Sequence, residues 1–385
     1  MLIWFEGKLG LLRKISFGIM VTLLFLCISS LFRFPEVEIG IRASEENPFI
    51  NLNMSPESDK ISLIKGGYNS HAKIFEHKIS VADFEKLKEK IGVYEIRRNC
   101  GERIGEYGTG WRPPTEEEWK QMINGAYIVE RVSLKDGIQM PSFVDHTAKP
   151  WFPPIGNQGS EGSCVAWVIG YYMKTFQEAK EHNWNLSMAL WEGAQPSIEY
   201  QDRIISPDFI YHLINNGSDK GASSWTAINL ICSIGASSWE KMPYDPGNSA
   251  NWPSEEAWRE ASLYRGNSSG YECMWINTNE GLENLKNLIA SGNLAMITVD
   301  GSKIYNGLWS LLSDKDMLTL DNYAPPWEED AWHAVTVVGY DDNFEYTEQG
   351  QTRYGAFKIA NSWGVGGWEN VPDGCFWISY EAMKQ

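Results

Sequence analysis

The hydrophobic pattern changes character along the chain. Residues 15–32 (ISFGIMVTLLFLCISSLF) run without a charge behind Lys8, Arg13 and Lys14. A basic start before an apolar run of this length reads as an export signal or a membrane anchor. Either reading puts the remainder outside the cytoplasm. Residues 34–66 are polar, with Pro and Ser, and read as a linker. From Val81 to Ile91 apolar residues fall at helical spacing, and Thr115 with Glu118 three residues on marks a capped helix start. Between them, Gly101 to Pro114 is glycine-rich. Ser163 to Glu181 carries a helical stripe of Val165, Val168, Ile169, Tyr172, Met173 and Phe176. Helices are also expected from Ser206, over Trp225–Ile234 and over Gly281–Ser291. Strands are expected at Tyr271–Ile276, Leu294–Val299, Ala334–Tyr340, Gly355–Ala360 and Cys375–Tyr380. Helices come first and strands second, which is an α+β order with two subdomains.

Composition narrows the function classes. The 385 residues are 43% hydrophobic and 22% charged, the balance of a folded protein. A formal charge of −17 argues against nucleic-acid binding, which needs clustered Lys and Arg. The 18 tryptophans point to aromatic-lined cores or grooves. Six cysteines, none in a C-x-x-C pair, are too scattered for a disulfide framework and give no structural zinc motif. Four N-x-S sequons (Asn53, Asn185, Asn216, Asn267) are compatible with export. No cofactor is implied. Asp341, Asp342 and the acids of 314–321 read as turns and solvated loops, so no metal site is expected.

One cysteine stands apart. Cys164 falls in the first turn of the helix expected from Ser163, where unpaired N–H groups and the helix dipole favour thiolate. Gln158 lies six residues upstream, and glycines between them let the backbone turn. A thiolate nucleophile needs a base, and the base needs an orienting acceptor. His333 directly precedes an apolar strand, whereas His182 and His212 read as surface residues in polar helical contexts. Asn361 ends the next strand and is placed to accept from His333 if the two strands pair as a hairpin. Trp363 could then shield that bond from water.

Gln158 through Cys164, His333 before a strand ending Gly339-Tyr340, and Asn361-Ser362-Trp363-Gly364 together resemble the papain-like cysteine peptidases, over about residues 141–385. The resemblance implies a helical left subdomain, an antiparallel β-barrel-like right subdomain and a cleft between them. It implies Cys164 as nucleophile, His333 as base then acid and Asn361 as orienter. Gln158 and the Cys164 N–H would form the oxyanion hole. Gly221 resembles one of the glycines that meet the substrate backbone, and Ser224 and Ala331 would line an apolar specificity pocket. The layout implied is a signal or anchor at 1–33, a pro-region at 34–138 and the peptidase domain at 139–385. Its partners would be peptide or protein substrates, with membrane contact through 15–32 if the signal is uncleaved, and the expected state is a monomer.

The chain also departs from the family pattern. Glu161 and the loop near Asp219 stand where a disulfide is usual, and Glu161 puts a negative charge three residues before the thiol. If close, that charge would oppose thiolate formation. Ala222 replaces the second glycine, Val165 the tryptophan after the nucleophile, and Trp332 an Asp or Asn before the histidine. Cys164 and His333 are 169 residues apart (333 − 164), against roughly 130–150 for papain-like enzymes. The excess is assigned to 245–270 and to an acidic, aromatic stretch at 308–330, the latter read as a surface insertion at the cleft rim. An acyltransferase or amidase on the same scaffold, and a binding module without activity, are the competing readings.

Overall fold

The computed structural model describes residues 71–93, 103–266, 271–304, 316–327, 331–365 and 373–385. The apolar run at 15–32 and parts of the 308–330 stretch lie outside them. Among the described residues no helix is long and apolar enough to cross a membrane.

The helical half is built around one long rod. Cys164–Ala166, Trp167–Lys174 and Thr175–Glu181 follow one another, the middle stretch wound as a π-helix. The apolar stripe read in the sequence sinks into the core: Val165, Val168, Tyr172 and Phe176 are all buried. Two shorter helices pack beside it. Pro207–Ile214 is capped by the Ser206 hydroxyl with Pro at its first turn, and Ser224–Ser233 follows. Tryptophans fill the remaining space, with Trp167 in edge contact with Trp191 and Trp239 at 5.9 and 6.1 Å.

The strand half is a six-stranded sheet. Trp332–Glu348 and Gln351–Ala360 form the expected hairpin, in register Thr336 to Ala360, and Cys375–Ser379 extends it on the far side. The long strand pairs on its other edge with Ala295–Asp300 and then with Phe143–Asp145. Among the described residues the sheet does not close into a full barrel. Its outer strands, Met317–Leu318 and Phe143–Asp145, span only two and three residues. They are too short to close the sheet on itself.

Two strands from residues 71–134 and one from 271–274 form a second, three-stranded sheet among the described residues. Ala126–Leu134 pairs antiparallel with Ala72–Lys78 and parallel with Tyr271–Met274. Asn284 fastens the same strand, accepting from Val132 N–H at 2.8 Å and donating to Glu130 at 3.1 Å. The helices Val81–Ile91 and Glu116–Met122 form as read, each with a capping box, at Ser80 with Asp83 and at Thr115 with Glu118.

Candidate active site

The hairpin brings the histidine and asparagine together. His333 sits at the second position of its strand, and Asn361 follows the last residue of the partner strand. His333 Nε2 lies 2.7 Å from Asn361 Oδ1. That oxygen also accepts from Ser362 N–H at 2.7 Å, which fixes the amide's orientation. The Trp363 indole stacks on the imidazole with centroids 4.4 Å apart and covers the bond. His333 Nδ1 is buried with no hydrogen-bond partner.

The next residue along the strand reaches the thiol. Ala334 N–H donates to Cys164 Sγ at 3.4 Å. Cys164 starts its helix as expected and is fully buried. Gln158 is held on every side. Its Nε2 donates to Glu161 O at 2.7 Å, its Oε1 accepts from Ser362 Oγ at 2.6 Å, and its N–H donates to Ser362 O at 2.8 Å. One hydrogen-bonded cluster therefore links the loop before Cys164 to the Asn361-Ser362-Trp363 corner.

Residues 107–112 run through this cluster, which the sequence reading missed. Gly108 N–H donates to Gly159 O at 2.9 Å. Gly108 O accepts from Gln158 Nε2 at 3.0 Å and from Trp363 Nε1 at 3.3 Å. Tyr107 stacks on the outer face of Trp363 at 5.2 Å. Ala222 then exchanges two bonds with the segment, its N–H to Gly110 O at 2.7 Å and Arg112 N–H to its own carbonyl at 3.1 Å. Trp111 N–H donates to Trp332 O at 3.1 Å. The far end is pinned by Arg112, whose guanidinium grips both oxygens of Glu118 at 2.7 and 2.9 Å. Passage this tight requires glycine. A Cβ on Gly110 would meet Gly162 O at 1.9 Å, and one on Gly221 would meet Gly110 O at 2.2 Å. The legible signal was the Gly108-Thr109-Gly110 spacing, which alone reads as a loop.

Gly221, at φ +74°, leads into this contact, but the backbone pairing falls on Ala222. Ser224 Oγ accepts from the Trp111 indole at 3.3 Å. Ala331 is buried immediately before Trp332. Trp332 itself meets Trp111 edge-on at 6.3 Å.

Burial sets the electrostatics. Loss of solvent pushes the Cys164 thiol up to about 11, against the backbone N–H groups of Ala334, Gly110, Val165 and Trp111 that favour thiolate. Burial holds His333 down at about 4, only partly offset by Asn361. The helix start was expected to favour thiolate. Burial thus favours the neutral thiol and the neutral imidazole, against the pull of the helix start.

Two further expectations change. His212 is buried, with its side chain fully enclosed, because Glu161 and Asp208 come to it across the fold. The Glu161 carboxylate is turned toward His212, 3.4 Å away. Among the described residues, Cys164, Cys232, Cys273 and Cys375 form no disulfide. In place of a bridge, Asp219 Oδ1 accepts from Gly162 N–H at 2.8 Å and from the Tyr211 hydroxyl at 2.7 Å.

No family model matches the chain, and no curated protein matches it. Several solved structures are similar to it at low identity. Xylellain, a cysteine protease from Xylella fastidiosa, is 20% identical over 76% of this chain and 95% of its own, with a TM-score of 0.45. Digestive procathepsin L2 proteinase from Tenebrio molitor larval midgut is 20% identical over 64% of this chain and 65% of its own, with a TM-score of 0.44. The cysteine protease and lectin-like domains of Cwp84, a surface layer associated protein of Clostridium difficile, are 16% identical over 81% of this chain and 58% of their own, with a TM-score of 0.44.

Proposed function

We propose that the chain is a cysteine peptidase of papain-like type, kept latent by its own residues 103–112. The observation that carries this reading is the 2.7 Å His333–Asn361 contact under Trp363, one residue from the N–H that donates to Cys164 Sγ.

In the working enzyme Cys164 Sγ attacks the carbonyl carbon of a peptide bond, and its proton passes to His333. Asn361 Oδ1 keeps Nε2 protonated and leaves Nδ1 to act as base, then as acid toward the leaving amine. Gln158 Nε2 and the Cys164 N–H stabilise the oxyanion. Water then releases the acyl group, with His333 again the base. Gly221, Ser224, Ala331 and Trp363 line the substrate side, and Ala222 supplies backbone bonds. Substrates are peptides or proteins, taken by a monomer.

Latency is supported by what meets the thiol. The N–H groups of Gly110 and Trp111 act on Sγ, whereas the carbonyl held by Gln158 belongs to Gly108. The segment thus fills the donor site without offering its carbonyl carbon for attack. We assign 1–33 to a signal or anchor, 34–138 to a pro-region and 139–385 to the peptidase domain, the mature protein acting outside the cytoplasm. N-terminal sequencing of exported protein tests that layout. Labelling by a thiol-directed epoxide tests the chemistry: activated protein should be modified at Cys164 and lose hydrolysis in step. Modification elsewhere, or hydrolysis that survives it, would refute the reading.

A further inference from the structure

Behind the nucleophile loop lies a polar cluster for which the peptidase chemistry has no use. Glu161 comes from that loop, while Asp208 and His212 stand one turn apart on the helix Pro207–Ile214. All three side chains are fully enclosed. His212 Nε2 is 3.4 Å from Glu161 Oε1 and 3.6 Å from Asp208 Oδ1, and one ligand atom of each residue lies within 4.8 Å of the others. Glu161 Oε2 and Asp208 Oδ1 have no hydrogen-bond partner. The second Asp208 oxygen accepts from Asp245 N–H at 2.8 Å.

These separations are long for a tight ion pair. A charge-assisted N–H···O bond closes to about 2.7–2.9 Å. Donors bound tetrahedrally to one ion at about 2.0–2.1 Å stand about 3.3–3.5 Å apart, which the two distances approach. The charge argues the same way. Two enclosed carboxylates beside one imidazole carry an excess of negative charge when ionised, which a bound cation would offset. One imidazole nitrogen with two carboxylate oxygens is a donor set that zinc accepts.

We propose that Glu161, Asp208 and His212 form a structural site for one divalent transition-metal ion of the zinc type. The ion would be bound through a Glu161 oxygen, Asp208 Oδ1 and His212 Nε2. Its role is mechanical. The Glu161 carbonyl accepts from Gln158 Nε2 at 2.7 Å, so anchoring Glu161 to the helix also anchors the glutamine. The ion would thus cross-link loop to helix where Glu161 excludes a disulfide. Binding needs a neutral imidazole and ionised acids, so it releases protons and weakens as pH falls. The proposal stands apart from the peptidase reading, because its measurement is metal content.

The test uses the full chain, stripped with a chelator and titrated with Zn²⁺ alone, reading bound ion per chain and thermal midpoint. The expected result is one ion per chain and a rise in midpoint. Both should be kept in Cys164→Ser and lost in the isosteric Glu161→Gln and Asp208→Asn variants. Folded wild-type protein that takes up no zinc would overturn the proposal. So would uptake unchanged by both carboxamide variants, or uptake lost only with Cys164. If either variant fails to fold, the wild-type titration and the Cys164→Ser control still decide.

Discussion

The carbonyl oxygen of Gly108 accepts from the side-chain amide of Gln158 at 3.0 Å. On the proposed reading one amide serves two states, holding the segment in the latent chain and the oxyanion in the active one. Gln158→Ala should therefore act with opposite signs. In activated enzyme kcat falls by about 10²–10³-fold, the usual loss for one oxyanion donor. In the latent chain, losing a bond worth about 1 kcal/mol should speed Cys164 labelling several-fold. Steady-state kinetics and timed labelling read the two effects separately, and a fall in both would contradict the double role.

Asn361 Oδ1 holds His333, the proposed base, at 2.7 Å. Asn361→Ala should lower kcat by about 10–10²-fold with little change in KM, since general-base efficiency depends on the imidazole's orientation and tautomer. A rise in KM with kcat unchanged would mean that the asparagine shapes substrate binding instead.

The pH dependence of the closed state follows from His333 and Cys164. His333 is held near 4 against an ordinary 6.5. Between those values the opened chain binds a proton that the closed chain refuses, so closure is favoured fully above about 6.5 and weakens as pH falls toward 4. His146, also held near 4 by burial, tilts whole-fold stability the same way. Cys164 is raised from 9.0 to about 11, so its contribution is intact below 9 and is lost as pH rises through 11. Amide exchange at Trp111 and Arg112, corrected for intrinsic rates, should accelerate on acidification through this window. A flat profile would show that the segment is held by groups other than the buried pair.

Specificity should follow the place of Trp111. Its indole donates to Ser224 and meets Trp332 edge-on, in the region where Ser224 and Ala331 are expected to line an apolar pocket. Peptides with a bulky apolar side chain two residues before the cut should be preferred about tenfold or more over acidic or basic ones. A peptide library scored by kcat/KM checks this, and a strong charge preference would contradict it.

Elements whose signal is local were legible in the sequence. The helix Val81–Ile91 follows from its 3.6-residue spacing and the Thr115 cap from its partner Glu118, while the hairpin that joins His333 to Asn361 follows from two apolar runs with turn residues between. What escaped depends on distant partners. His212 looked exposed because its sequence neighbours are polar, yet Glu161 and Asp208 enclose it. Ala126–Leu134 gave no distinct strand signal, since its partners at Ala72–Lys78 and Tyr271–Met274 lie far away in the chain. The segment at 107–112 was the largest omission. Glycines needed for close passage beside Gly162 are, in sequence, indistinguishable from glycines of a flexible loop. The thiolate expectation weighed only the helix start, whereas burial of Cys164 pushes its thiol up to about 11.

Gly110→Val tests most directly whether residues 107–112 cover a competent Cys164. A side chain there would meet Gly162 O at 1.9 Å, a clash that should cost about 1–3 kcal/mol and expel the segment. Peptide hydrolysis by the full-length variant should then exceed that of the unprocessed wild type by about tenfold or more and vanish when Cys164→Ser is added. Hydrolysis unchanged in well-folded Gly110→Val, or persisting in the double variant, would contradict the account.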